Sequence, residues 1–302
     1  MKQIPAAGLA CLLALTSCSF QTTDHTGRPE DSPDIMSASF RYTRSDVHEV
    51  KGRQGVCSDG EYYWVSGSGT LAKYDRGWNL LAVNEDPFQG YDMEVNHIGD
   101  IDVYQNELYI GAEYFMDGAG TNIQIAVYDG DTLELKRTFP FEAASGQLEC
   151  SGIAVNPDDQ TVWMCSWVGE ESGRYLYRYD LDSGEYLGKV HLQPVPQWVQ
   201  GMAYHDGCFY LTADDGTADD EEPDHLYRTR IEDGATSCTV TLERTFDDVI
   251  RQGEIEGLTF AEDRLLVLFN RGARIVLGMP KGFYEGYDRE ISEVYAYDMA
   301  RP

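Results

Sequence analysis

Ser151-Gly152-Ile153-Ala154-Val155-Asn156-Pro157-Asp158-Asp159-Gln160-Thr161-Val162-Trp163-Met164-Cys165 is the stretch from which the fold is read. A small apolar run opens on a glycine. Asn156 to Asp159 then gathers turn-forming residues, and β-branched and aromatic residues follow as a second strand. Downstream, Arg174 to Tyr179 alternates in polarity as a half-buried third strand, Asp182-Ser183-Gly184 turns, and Tyr186 to Leu192 supplies a fourth. Four antiparallel strands of this kind make one blade of a β-propeller.

Working outward, the same opening recurs at Gln54-Gly55-Val56, Gly99-Asp100-Ile101, Gln200-Gly201-Met202 and Glu256-Gly257-Leu258. Counted from residues 54, 99, 151, 200 and 256, the intervals are 45, 52, 49 and 56 residues. Self-similarity at this period with short strands predicts an all-β, five-bladed propeller of four-stranded antiparallel blades. The fifth unit has only three strands before the chain ends. Ser39 to Thr43 or Val47 to Val50 is therefore expected to close the ring and remove its exposed sheet edges. Six blades, a lactonase-like propeller or a β-sandwich are the alternatives.

The N-terminal residues have another character. Lys2 precedes an apolar run from Ile4 to Leu15, too short to span a bilayer but suited to a signal peptide. Leu15-Thr16-Ser17-Cys18 resembles the lipobox of bacterial lipoproteins. That resemblance implies a signal peptide over 1–17, cleavage before Cys18, and acyl chains such as palmitate on Cys18, with a plain secretory signal as the alternative. Residues 18–37 then read as a polar tether and 38–302 as a single propeller domain. The expected location is the cell envelope, with the protein held on the extracytoplasmic side of a bacterial membrane as a monomer.

The 302-residue chain has a net charge of −29, which excludes nucleic acid as a partner because phosphate neutralisation needs Lys and Arg. It suits bound cations or plain solubility. Of seven Cys, five remain after Cys11 and Cys18 are set aside: Cys57, Cys150, Cys165, Cys208 and Cys238. That odd number leaves at least one thiol unpaired.

In a propeller the strand openings and the second-to-third loops share one rim. They bring together Gln54, His97, Glu113, Trp167, Trp198, Gln200, Asn270 and Arg271 as expected ligand-binding residues. Glu149, Ser151, Glu254, Glu256, Asp214 and Asp215 form an oxygen-rich set that could take Ca²⁺, the alternative being separate solvation of each acid. Arg271, Arg274 and Lys281 could hold an anionic group or pair with Glu285, Asp288 or Glu290. Two functions follow from this rim. One is a module that binds a small ligand. The other is a metal-dependent hydrolase, for a phosphoester, lactone or sugar, with Glu149 or Glu256 as base. No Gly-x-Ser-x-Gly, His-Glu-x-x-His or phosphate loop is present.

Gln200-Gly201-Met202 to Tyr210, followed by Glu254-Ile255-Glu256-Gly257-Leu258-Thr259-Phe260, resembles two adjacent blades of the plant and bacterial type glutamine cyclotransferases. The resemblance implies a five-bladed fold. In that family a catalytic Glu follows the Leu-Tyr of the second strand; here Leu211 follows Tyr210, so the activity does not carry over. Glu149, Ser151 and Glu256 also resemble in kind the inner-strand ligands of calcium-activated apyrase-type propellers.

Overall fold

The computed structural model describes residues 38–302 except 117, 169–170, 219, 250–252 and 277–278. The proposed signal peptide, Cys18 and the tether lie outside the described residues. The described part is built from five four-stranded antiparallel sheets. From inner to outer strand, the first runs Gly55–Ser58, Tyr62–Gly67, Thr70–Asp75 and Leu80–Asn84. The second is His97–Tyr104, Glu107–Met116, Ala119–Asp129 and Leu135–Pro140. The third is Ile153–Asn156, Thr161–Met164, Tyr175–Asp180 and Tyr186–Gln193, and the fourth Val199–His205, Cys208–Ala213, His225–Thr229 and Ser237–Thr245. The fifth has Gly253–Ala261, Arg264–Arg271 and Ile291–Ala300, with Arg41–Glu49 as its outer strand.

The closing strand spans both segments proposed from sequence. It runs from Arg41 opposite Ala300 to Glu49 opposite Glu293, with a bulge between Arg44 and Asp46. Burial explains why the ring closes. Five apolar clusters fill the five seams between neighbouring sheets. Trp64 and Tyr128 belong to the first-to-second seam, and Ile153 and Tyr177 to the second-to-third. Trp163 and Phe209 pack in the third-to-fourth, Phe246 and Phe269 in the fourth-to-fifth, and Val56 and Leu266 in the fifth-to-first. Each sheet is thus covered on both faces, which a single hairpin stack could not achieve.

One turn is used repeatedly. Asp75, Asp129 and Asp180 each follow a buried Tyr at a strand end. In each, Oδ1 accepts backbone N–H groups two to four residues ahead: Gly77 and Asn79, Asp131 and Thr132, Asp182 and Ser183. The Asn79 side-chain amide at Asp75, and these backbone N–H groups at all three, hold the carboxyls below the usual range.

Two features depart from the sequence reading. The outer strands of the third and fourth sheets pair in parallel, Leu192 opposite Cys238, joining them into eight strands. Between the second and third strands of the fifth sheet, Ala273–Val276 and Met279–Phe283 pair antiparallel as a two-stranded sheet of their own. Cys57, Cys150, Cys165, Cys208 and Cys238 are all buried and free.

Candidate ligand site

The axis is closed. Gly55, Gly152, Gly201 and Gly257 stand at the same position of four inner strands, so close that a Cβ on Gly201 would lie 2.5 Å from the Gly257 Cα. The fifth equivalent position is Asp100, whose side chain fills the space the four glycines leave. A Cβ on Gly55 or on Gly257 would collide with its Oδ1. Oδ1 accepts from Ile101 N at 2.9 Å, and Oδ2 from Met202 N at 2.9 Å, across two sheets. Burial pushes this carboxyl well above its usual range. Two residues on, Asp102 accepts from Val103 N and Val155 N, and burial pushes it up to about 6. The four glycines and this carboxyl together plug the axis.

Above this plug lies a blind cleft of about 100 Å³. Of the residues proposed from sequence, Gln54, His97, Glu149, Ser151, Trp167, Gln200, Glu254 and Glu256 line it together. They come from all five openings, as the repeat register requires. Ser151 Oγ donates to Val199 O at 2.7 Å, which fixes the fourth opening against the third.

Its electrostatics divide into two sides. On one side Arg53, not anticipated from sequence, places Nη2 2.6 Å from Glu254 Oε2 and 3.7 Å from Glu256 Oε1, and Nε 2.6 Å from Glu290 Oε1. Burial lowers the affinity of this guanidinium for its proton, but Glu256, Glu254 and Glu290 outweigh that and the net shift is upward. Glu256 is pushed well above the carboxylate range by burial, with Arg53 opposing. Asn270 does not line the cleft. It is buried, donates to Glu256 Oε1 at 2.7 Å and to Arg53 O, and accepts from Ser292 Oγ, so it positions Glu256.

On the other side, Glu113 is fully buried, cross-strand from His97, with Oε1 3.5 Å from His97 Nδ1. That is too long for a good hydrogen bond. Neither Glu113 oxygen nor His97 Nδ1 has a hydrogen-bond partner. Burial pushes Glu113 up to about 8, and burial with Arg53 pulls His97 down to about 4. At neutral pH this is a neutral imidazole beside a carboxylic acid. Glu149 accepts from Trp167 N at 2.7 Å and is raised well above its usual range, by burial and then by the charge of Glu113.

Two further cavities adjoin. Trp167 and Trp198 meet edge to face at 5.2 Å and line a slot of about 180 Å³ with Pro196 and Gln197. On the opposite flank, Asp214, Glu254 and Ile275 line another of about 180 Å³. Burial, then Asp224 and Glu254, raise Asp214 well above its usual range.

Two proposed residues are committed elsewhere. Asp215 binds His225 Nδ1 at 2.7 Å and Tyr227 Oη at 2.6 Å. Arg271 makes a two-point contact with Glu293 at 2.6 and 2.5 Å, not with Glu285, Asp288 or Glu290. Among the described residues no three His, Cys, Asp or Glu side chains converge as a metal site. Arg53 stands where a cation would meet Glu254 and Glu256. The side chains as arranged therefore do not fit a Ca²⁺ centre.

No protein-family model matches the chain, and no curated protein matches it in sequence. Among solved structures it is similar to the glutaminyl cyclase of Myxococcus xanthus, with a TM-score of 0.55 at 11% identity over 87% of this chain and 99% of that one. It also aligns with hydrazine synthase of Kuenenia stuttgartiensis, with a TM-score of 0.43 at 11% identity over 86% and 67% of the two chains. The first likeness is one of fold: this chain folds as a β-propeller.

Proposed function

We propose that the protein is a lipid-anchored, extracytoplasmic propeller that binds a small ligand in the blind axial cleft. The observation that carries this reading is the convergence of polar side chains from all five openings above the Asp100 plug. A concave site with aromatic walls and a few fixed polar groups is what small-molecule recognition needs. The lipobox at Cys18 supports the anchor. Thermal unfolding across a chemically broad ligand panel tests the binding, with stabilisation expected to vanish in Gln200→Leu. Cys18→Ser tests the anchor, moving the protein from membrane to soluble fractions. Ca²⁺ belongs in the same panel. A rise in melting temperature with Ca²⁺ and not with organic ligands would restore the cation reading.

A second reading is acid–base catalysis in the same cleft. It is favoured by Glu113, an acid held near neutral pH by burial beside Glu149 and the neutral His97. Glutaminyl cyclase activity, which the structural neighbour has by name, belongs in the substrate panel. Turnover lost in Glu149→Gln with binding retained would favour the enzyme.

A further inference from the structure

The walls of the cleft specify the charge and shape of what enters. Glu149, Glu254 and Glu256 line it, and Glu113, opposite the lining His97 on the neighbouring strand, has both oxygens unpartnered. One guanidinium, Arg53, stands against these acids, and it already binds Glu254 and Glu290. Burial shifts Glu149 and Glu256 toward their protonated forms, and a cationic occupant supplies the counter-charge that lets them ionise, which a neutral or anionic one does not. A bare metal ion is disfavoured, because no three ligating side chains converge among the described residues. Aromatic groups point instead to an organic cation. Phe115 and Trp167 line the cleft beside His97, and ring faces attract ammonium groups.

Trp167 is shared between the cleft and the adjoining slot of about 180 Å³, which Trp198 also lines. A cavity of about 150 Å³ is enough to hold benzene, so the slot has room for a six-membered ring. Trp198 is 41% exposed, with φ of 55°, and is left out of every core seam. Its indole packs edge to face on Trp167 and presents an exposed aromatic surface to the slot.

We propose that the occupant is a small organic ammonium carrying a flat apolar ring, its charged head among Glu149, Glu254 and Glu256 and its ring in the slot that Trp167 and Trp198 line. This rests on the small-ligand reading above and names the ligand class. Binding shifts protons off the lining acids, so the measured heat depends on the buffer's ionisation enthalpy.

The test is a titration of the full protein, by tryptophan fluorescence and calorimetry. The probes are phenethylamine, its neutral analogue phenethyl alcohol, phenylacetate and ethylamine. Phenethylamine is expected to bind about ten-fold or more tighter than the alcohol or ethylamine. Trp198→Ala is expected to weaken phenethylamine about ten-fold and leave ethylamine unchanged. Glu254→Gln is expected to weaken both amines. If the alcohol or phenylacetate binds as tightly as the amine, the proposal falls while the cleft remains a small-ligand site. If none of the four probes binds, the proposal also falls. If no member of the broad panel perturbs Trp167 and Trp198 either, the small-ligand reading falls with it.

Discussion

Replacing Asp100 by Gly restores the glycine that the other four openings carry, yet it should destabilise the protein. In the structure the two carboxyl oxygens satisfy Ile101 N and Met202 N, both at 2.9 Å, in a layer that water does not reach. Glycine leaves both donors orphaned around a void. Each buried unsatisfied donor costs about 1–3 kcal/mol, so the loss is about 2–6 kcal/mol. For a domain of this size that corresponds to a fall in Tm on the order of 10 °C. Asp100→Asn keeps one acceptor and turns an amide N–H₂ toward the other donor, so its cost should lie between wild type and Asp100→Gly. The assay is urea unfolding of all three proteins, read by circular dichroism. A midpoint for Asp100→Gly equal to wild type would refute the reasoning, because the plug would then be dispensable or replaced by water. So would an Asp100→Asn variant less stable than Asp100→Gly.

The pH dependence should be unusual for an acidic protein. Glu113, Asp224 and Asp102 have folded values near 8, 7 and 6, raised by burial. Groups shifted upward contribute stability that is fully present below their unfolded values and is lost as pH rises through the folded ones. Urea midpoints should therefore fall between about pH 4.5 and 8, and a midpoint that rises over that window would contradict the burial of these acids. Glu107 acts in the opposite sense. Its hydrogen bonds to Arg137 hold it near 2, so its contribution is lost as pH falls below about 4.5 toward 2. Gly257→Ala drives a Cβ into Asp100 Oδ1 and to 2.6 Å from the Gly55 Cα, and should cost at least about 1–3 kcal/mol in chemical denaturation. The five domain thiols should resist iodoacetamide in the native state and all react in denaturant without reductant, and mass spectrometry would expose any disulfide as a pair of unlabelled sites. Arg271→Gln should lower stability by about 1–3 kcal/mol, by breaking the part-buried pair with Glu293, and leave cleft binding unchanged.

Much of this architecture was legible because repeat proteins write the same constraint several times. The Gly-apolar opening, the Tyr-Asp turn and the alternating third strand recur often enough to fix hairpins and blade order, and the short fifth unit implied a closing strand at 39–43 or 47–50, which the structure places at 41–49. What the repeat did not convey came from contacts across units. Parallel pairing of Leu192 with Cys238 leaves no trace in either strand's pattern. Glu113 alternates as a rim residue would, and its full burial opposite His97 on the neighbouring strand has no mark in the pattern. Arg53 precedes an opening and carries no signature. Its importance depends on Glu254 and Glu290, roughly two hundred residues away in the chain. A signal for Asp100 was present, however. A charged residue at the one position where four sister units have glycine cannot be a solvated side chain, because that position faces the axis.

This asymmetry bears on how the site works. Four glycines alone would leave a narrow pore, and five bulkier residues could not fit. One carboxyl among four glycines closes the axis with a group that binds backbone donors from two sheets at once. The cleft above it is therefore blind, and the acids in its walls stay out of bulk water. That desolvation keeps the cleft-lining Glu149 and Glu256 raised, toward their protonated forms. If Asp100→Gly opened the floor to water, the raised carboxyls would relax toward their ordinary values. Binding of an organic ammonium in the cleft would then release fewer protons even though no cleft-lining residue had changed. Measuring phenethylamine binding in that variant, at a temperature where it remains folded, separates a plug that only holds the ring together from one that also sets the electrostatics of the site.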